Sequence, residues 1–138
     1  MTAEREADEP ATVIHVVDDD ASMRSALQRL LVHAGYAVRG YASAGDFLVA
    51  APDPRPGCML LDLQLPGPDG LELQQAMRRQ GLTMPIVFIS AHADVPHTVR
   101  AMKAGASEFL VKPIDGQALL AAIETALAVA GPVPAPPS

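Results

Sequence analysis

One cysteine is all the sequence contains: Cys58, set in an apolar run, with no partner to bridge to and no CxxC spacing. A disulfide framework and a thiolate zinc site are both excluded, and the residue reads as a small core side chain. Positive charge is also scarce. Ten Lys and Arg stand against sixteen Asp and Glu, a formal net charge of −6. A nucleic-acid backbone would be repelled rather than steered, so no direct nucleic-acid binding is expected. No uninterrupted apolar run reaches the roughly 18 residues that a spanning helix requires. The first twelve residues are acidic and polar where a secretory signal would carry an apolar stretch. The expectation is a cytoplasmic chain with no membrane partner.

What is present suits one compact unit. The 138 residues are 49% apolar, enough to fill a single core. Residues 1–11 carry Glu4, Glu6, Asp8 and Glu9 with almost nothing to bury, and residues 130–138 are rich in Pro and Ala. These ends read as an N-terminal tail and as a C-terminal tail or linker, leaving 12–129 as the domain. No repeat recurs at fixed spacing. Instead, short β-branched runs alternate with stretches of helical period. Strands are expected at Val13 to Val17, Ala37 to Tyr41, Cys58 to Leu61, Ile86 to Ile89 and Glu108 to Val111. Three are continuously apolar, as central strands covered on both faces are, whereas Ala-Val-Arg-Gly-Tyr suits an edge.

Helices fill the intervals. Met23, Leu27, Leu30, Leu31 and Ala34 form one apolar stripe, ended by a Gly35 cap. Ser43 opens the second helix, Gly70 to Gln80 forms the third and Asp94 to Ala104 the fourth. The fifth starts at an Asp115 cap and buries Leu119, Leu120, Ile123 and Leu127. Five βα units imply an α/β fold with a parallel sheet and helices on both faces.

Polar residues collect where these strands end: Asp18 and Asp19 after the first, Asp62 after the third, Ser90 after the fourth and Lys112 after the fifth. In a parallel sheet all of them reach one edge, where open α/β sheets bind ligands. Three carboxylates brought together repel unless a cation lies between them, and an all-oxygen set suits a hard ion such as Mg2+ or Mn2+ over zinc. With a lysine and a hydroxyl added, the set has the parts of phosphoryl transfer to a carboxylate. Asp20 reads as a helix cap, and Asp69, before Gly70, as a turn residue. His15, His33, His92 and His97 show no ligand spacing.

Four motifs occur in a familiar order: Val-Val-Asp18-Asp19-Asp20, Asp62-x-x-x-Pro66-x-x-Asp69-Gly70, Ser90-Ala91 and Lys112-Pro113. Over roughly Val13 to Leu127 the chain resembles the receiver domains of bacterial two-component response regulators. Within them it is most similar to the FixJ-like branch, through Ser-Ala-His-Ala-Asp-Val-Pro96 and Ala-Met-Lys-Ala-Gly105-Ala.

The resemblance implies a flavodoxin-like, doubly wound five-stranded sheet of order 2-1-3-4-5 with five helices. It implies that Asp62 accepts a phosphoryl group from a sensor histidine kinase or a small phosphodonor. Asp19, Asp62 and the backbone carbonyl of Gln64 would hold Mg2+, with Asp18 reaching it through water. Ser90 would bond a phosphoryl oxygen, Lys112 would pair with Asp62 or its phosphate after a cis peptide to Pro113, and Phe109 would report the switch state. From the residues alone, core packing and switching remain equally open for Phe109. Gln64 and His92, two positions beyond the acceptor and the hydroxyl residue, depart from the commonest pattern and are expected to modulate phosphoryl lifetime. Output would pass through helix four, strand five and helix five, by phosphorylation-dependent homodimer formation or contact with an effector domain that regulates transcription.

Two other readings compete. A haloacid-dehalogenase-type phosphatase uses a similar set, and Asp18-x-Asp20 resembles its motif, but no late acidic pair follows the fourth strand. A pseudo-receiver would keep the fold without the complete Asp/Asp/Asp/Ser/Lys set.

Overall fold

A computed structural model describes residues 10–91 and 95–130. In chain order the elements are β1 (Val13–Val17), α1 (Ala21–His33), β2 (Ala37–Tyr41), α2 (Ala44–Val49), β3 (Gly57–Asp62), α3 (Gly70–Arg79), β4 (Ile86–Ser90), α4 (Val95–Lys103), β5 (Glu108–Val111) and α5 (Gly116–Ala130). All strand pairs are parallel, in the order β2-β1-β3-β4-β5. The expected architecture is present, and Asp62 and Ser90 themselves close the ladders of β3 and β4.

The continuously apolar strands are the central ones. Every residue of β1 and β4 is buried, and β3 is buried from Cys58 onward, whereas β2 and β5 form the edges and are only partly covered. Alternation along each strand divides the core into two layers. Val17, Met59, Leu61 and Phe88 meet Leu73 and Met77 of α3 and Ala101 of α4. On the opposite face, Ile14, Val16, Leu60 and Ile89 meet Leu27 and Leu31 of α1 and Leu119 and Ile123 of α5. In that second layer, burial pushes the Cys58 thiol up to about 12, which makes it an inert packing group. His15 packs too, with Nδ1 2.9 Å from the Tyr41 hydroxyl.

Local chemistry sets the helix ends. Asp20 caps α1 by accepting from the amides of Ser22 and Met23, Ser43 caps α2, and Asp115 accepts from Ala118 at the start of α5. Two expectations need correction. The cap of α1 is Ala34, with Gly35 one step beyond at φ 103°, the left-handed position that glycine adopts without strain. Asp69 is the N-cap of α3, not only a turn residue. It accepts from the Glu72 amide while Glu72 accepts from its own, a capping box that the Asp-x-x-Glu spacing announces. Asp94, the expected start of the fourth helix, and residues 1–9 and 131–138 of the expected tails lie outside the described residues. Among the described residues, no helix is long and apolar enough to cross a membrane.

Winding reverses between β1 and β3, so the crevice at their carboxyl ends is open to a ligand. The pairing of these two strands begins at Gly57, where an added Cβ would sit 2.0 Å from the Val13 carbonyl oxygen. Gly57→Ala is expected to lower unfolding free energy by about 1–3 kcal/mol through forced strand displacement. Gly45→Ala in α2, where the nearest atom to an added Cβ is 3.8 Å away, should be neutral or stabilising by about 0.5 kcal/mol. Urea denaturation of the two variants tests the contrast.

Candidate functional site

The carboxyl ends of the strands are tied to one another past their regular ladders. The Asp18 amide donates to the Tyr41 carbonyl (3.1 Å), Leu63 to Ile89 (2.9 Å) and Lys112 to Ser90 (2.7 Å). These backbone bonds fix the relative height of Asp18, Asp62, Ser90 and Lys112, each of which ends a strand or directly follows one. The Lys112–Pro113 peptide is cis, as expected.

Asp18 and Ser90 are fully buried and Asp62 nearly so, while Asp19 is exposed at the mouth. One carboxylate oxygen from each of Asp18, Asp19 and Asp62 lies within 4.8 Å of the others. The Lys112 ammonium reaches across the crevice, 3.2 Å from Asp62 Oδ2 and 3.3 Å from Asp18 Oδ2. The other oxygens accept backbone amides: Asp18 Oδ1 from Asp20 and Asp62 Oδ1 from Gln64, both at 2.9 Å. The arrangement stays electrostatically unbalanced, with three carboxylates facing one ammonium.

The titration behaviour reflects this. Burial raises the Asp62 carboxyl above its ordinary value. The Gln64 amide and Lys112 oppose that shift, and the Asp18 charge adds to it. For Lys112, burial disfavours the charge, but attraction to Asp62 and Asp18 outweighs it and the value is raised. A hard divalent cation fits this set. The donors are all oxygen, they converge on one point, and the excess charge is negative.

Asp18, Asp19, Asp62, Ser90 and Lys112 therefore come together as the sequence predicts. Gln64 joins them, and its side chain makes contacts that sequence reasoning did not anticipate: Oε1 accepts from the Ser90 hydroxyl (3.1 Å) and the Ala91 amide (3.3 Å). Arg24 was also missed. From the first turn of α1 its guanidinium donates to the Asp18 carbonyl at 2.7 Å, holding the loop below the acidic pair. A lone Arg six residues past an Asp carries no sequence signal for this. Asp20 caps its helix and stays outside the cluster. Phe109 is partly buried against the α3/α4 layer, its ring 6.2 Å from that of Phe88. His92 lies outside the described residues.

Comparison with known proteins agrees with this geometry. A family model described as the response regulator receiver domain matches residues 14–124. The chain is 44% identical to the transcriptional regulatory protein FixJ of Bradyrhizobium diazoefficiens, over 86% of this chain and 58% of that protein. It is 39% identical to the response regulator protein TodT of Pseudomonas putida, over 94% of this chain and 57% of that one. The chain thus spans less than three fifths of these relatives. Among solved structures, it superposes on FixJ-N with a TM-score of 0.77 at 39% identity, covering 83% of this chain and 92% of that one. The response regulator StyR gives 0.80 at 48%, covering 86% and 60%. These matches set aside the haloacid-dehalogenase-type alternative.

A raised carboxyl has a definite consequence for stability. Folding favours the protonated form of Asp62, so its contribution is most favourable below the ordinary carboxylate range. That contribution is lost as pH rises through that range to the raised native value. In divalent-free buffer, Asp62→Asn should lack this loss and be more stable than the parent at neutral pH, with the gap closing in acid. Urea midpoints of both chains across pH measure the difference; a gap that stays constant contradicts the expectation.

Proposed function

Because the chain belongs to the response regulator receiver domain family, whose members are signalling switches rather than classical enzymes, we propose that Asp62 is its phosphoryl acceptor. The observation that carries this reading is the Lys112 ammonium held between Asp62 and Asp18 in a buried, oxygen-lined crevice. Transfer from a phosphohistidine proceeds by attack of an Asp62 carboxylate oxygen on phosphorus. The P–O bond forms and the P–N bond breaks, and the imidazole, already protonated on its other ring nitrogen, leaves neutral with the P–N electron pair. Lys112 keeps the acceptor ionised despite burial and then pairs with the added phosphoryl charge. The Gln64 amide holds the carboxylate's other oxygen, orienting the attacking one. Ser90 donates to a phosphoryl oxygen at the end of the neighbouring strand.

Receiver domains bind Mg2+ at an acidic cluster of this kind. Here we assign Asp19, Asp62 and the Gln64 carbonyl as direct ligands, with Asp18 acting through water. When bound, the ion offsets carboxylate and phosphoryl charge together. The donor is a sensor histidine kinase or a small phosphodonor. We place the domain at 12–129, with 1–11 and 130–138 as tail or linker.

Output passes through α4, β5 and α5. Exposed Val95, Val99, Met102 and Val111 on α4 and β5 supply an apolar surface suited to phosphorylation-dependent pairing or to an effector domain controlling transcription. Phe109, beside this surface on β5, relays the change as Ser90 turns toward the phosphoryl group, and His92 tunes how long that group persists.

Incubation with acetyl phosphate and Mg2+ is expected to add the mass of one phosphoryl group per chain, read by intact-mass spectrometry. Asp62→Asn should abolish the addition, and Lys112→Ala should slow it by about 10²-fold. Labelling that survives loss of Asp62 overturns the assignment.

A further inference from the structure

The Gln64 side chain occupies donors that a phosphoryl group on Asp62 would need. Its main-chain amide is bonded to Asp62 Oδ1 at the end of β3, while its Oε1 accepts from the Ser90 hydroxyl and the Ala91 amide at the end of β4. A backbone N–H can only donate, so it is the amide oxygen of Gln64, not its nitrogen, that faces these groups. The residue thereby spans the interval between the acceptor carboxylate and the hydroxyl that is to serve it. Ser90 is fully buried and one of its hydroxyl contacts is this bond to Gln64, whereas Gln64 itself is exposed.

We infer that the Gln64 side chain is an internal competitor for the phosphoryl group, a latch that holds Ser90 and Ala91 in the resting chain and must swing out before they can bind a phosphoryl oxygen. The inference rests on Asp62 being the acceptor. Displacement has a clear direction. Two neutral hydrogen bonds are exchanged for charge-assisted ones, which are about twice as strong, and the released amide passes to solvent at its exposed position. The phosphoryl group wins the exchange, but its affinity is reduced by the bonds it must break. Gln64 is therefore a positioning residue that sets the threshold for switching, a role distinct from control of hydrolysis.

The test is a calorimetric titration of beryllofluoride, a phosphoryl analogue, into Mg2+-saturated wild type, Gln64→Met and Gln64→Asn. Methionine matches glutamine in length but has no amide acceptor. Asparagine keeps the amide but is one methylene short of Ser90. With each protein first saturated with Mg2+, both variants should bind the analogue about tenfold more tightly. The Ala91 amide resonance should move in both before any analogue is added. Equal or weaker analogue binding in both variants overturns the latch while leaving the acceptor assignment intact. A wild type that binds no beryllofluoride overturns both.

Discussion

A single ammonium group held between two buried carboxylates organises this molecule's chemistry. Lys112 lies 3.2 Å from Asp62 and 3.3 Å from Asp18, and its positive charge offsets part of the cost of burying charge there. The pairing is incomplete by design of the chain itself: Asp19 brings a third carboxylate to the same point, and one lysine cannot balance three. The excess negative charge suits a hard cation, and under the proposed function cation and lysine together would draw a phosphoryl group to an acid that alone would repel it.

The fold delivers these groups because of how it divides its strands. β1, β3 and β4 are buried on both faces, so their positions are fixed by two packed layers rather than by solvent-exposed pairing. Each polar group appears only where the apolar run stops. Bonds between successive strand ends carry the alignment past the last ladder pair: Asp18 to Tyr41, Leu63 to Ile89, Lys112 to Ser90. This frame holds the acids, while the segments that directly follow β3 and β4 carry Gln64 and Ala91. Gln64 belongs to the first of these segments, and through its side chain it couples the two.

Much of this was legible in the residues. Continuous apolar runs marked the central strands, the Arg and Gly of Ala37–Tyr41 marked an edge, and Asp20, Ser43 and Asp115 announced helix starts by their capping chemistry. The convergence of Asp18, Asp19, Asp62, Ser90 and Lys112 followed from their common position after strands. What escaped was governed by side-chain direction, which linear spacing does not encode. Gln64 was expected to matter through its carbonyl and as a modulator of lifetime, yet its amide oxygen crosses to Ser90 and Ala91. Arg24 turns back from α1 to support Asp18. The Asp69 box was readable from Glu72 three residues on, but the Pro-Gly-Pro-Asp-Gly context pointed first to a turn.

The assignment of Asp62 as acceptor is decided by which carboxylate becomes an acyl phosphate. Borohydride reduces an acyl phosphate to an alcohol with release of phosphate, leaving homoserine in place of the aspartate. After treatment with a phosphodonor and Mg2+, peptide mapping should find homoserine at position 62 and at no other acid. Conversion at Asp18 or Asp19, or no conversion anywhere in a chain that binds the cation, would contradict it.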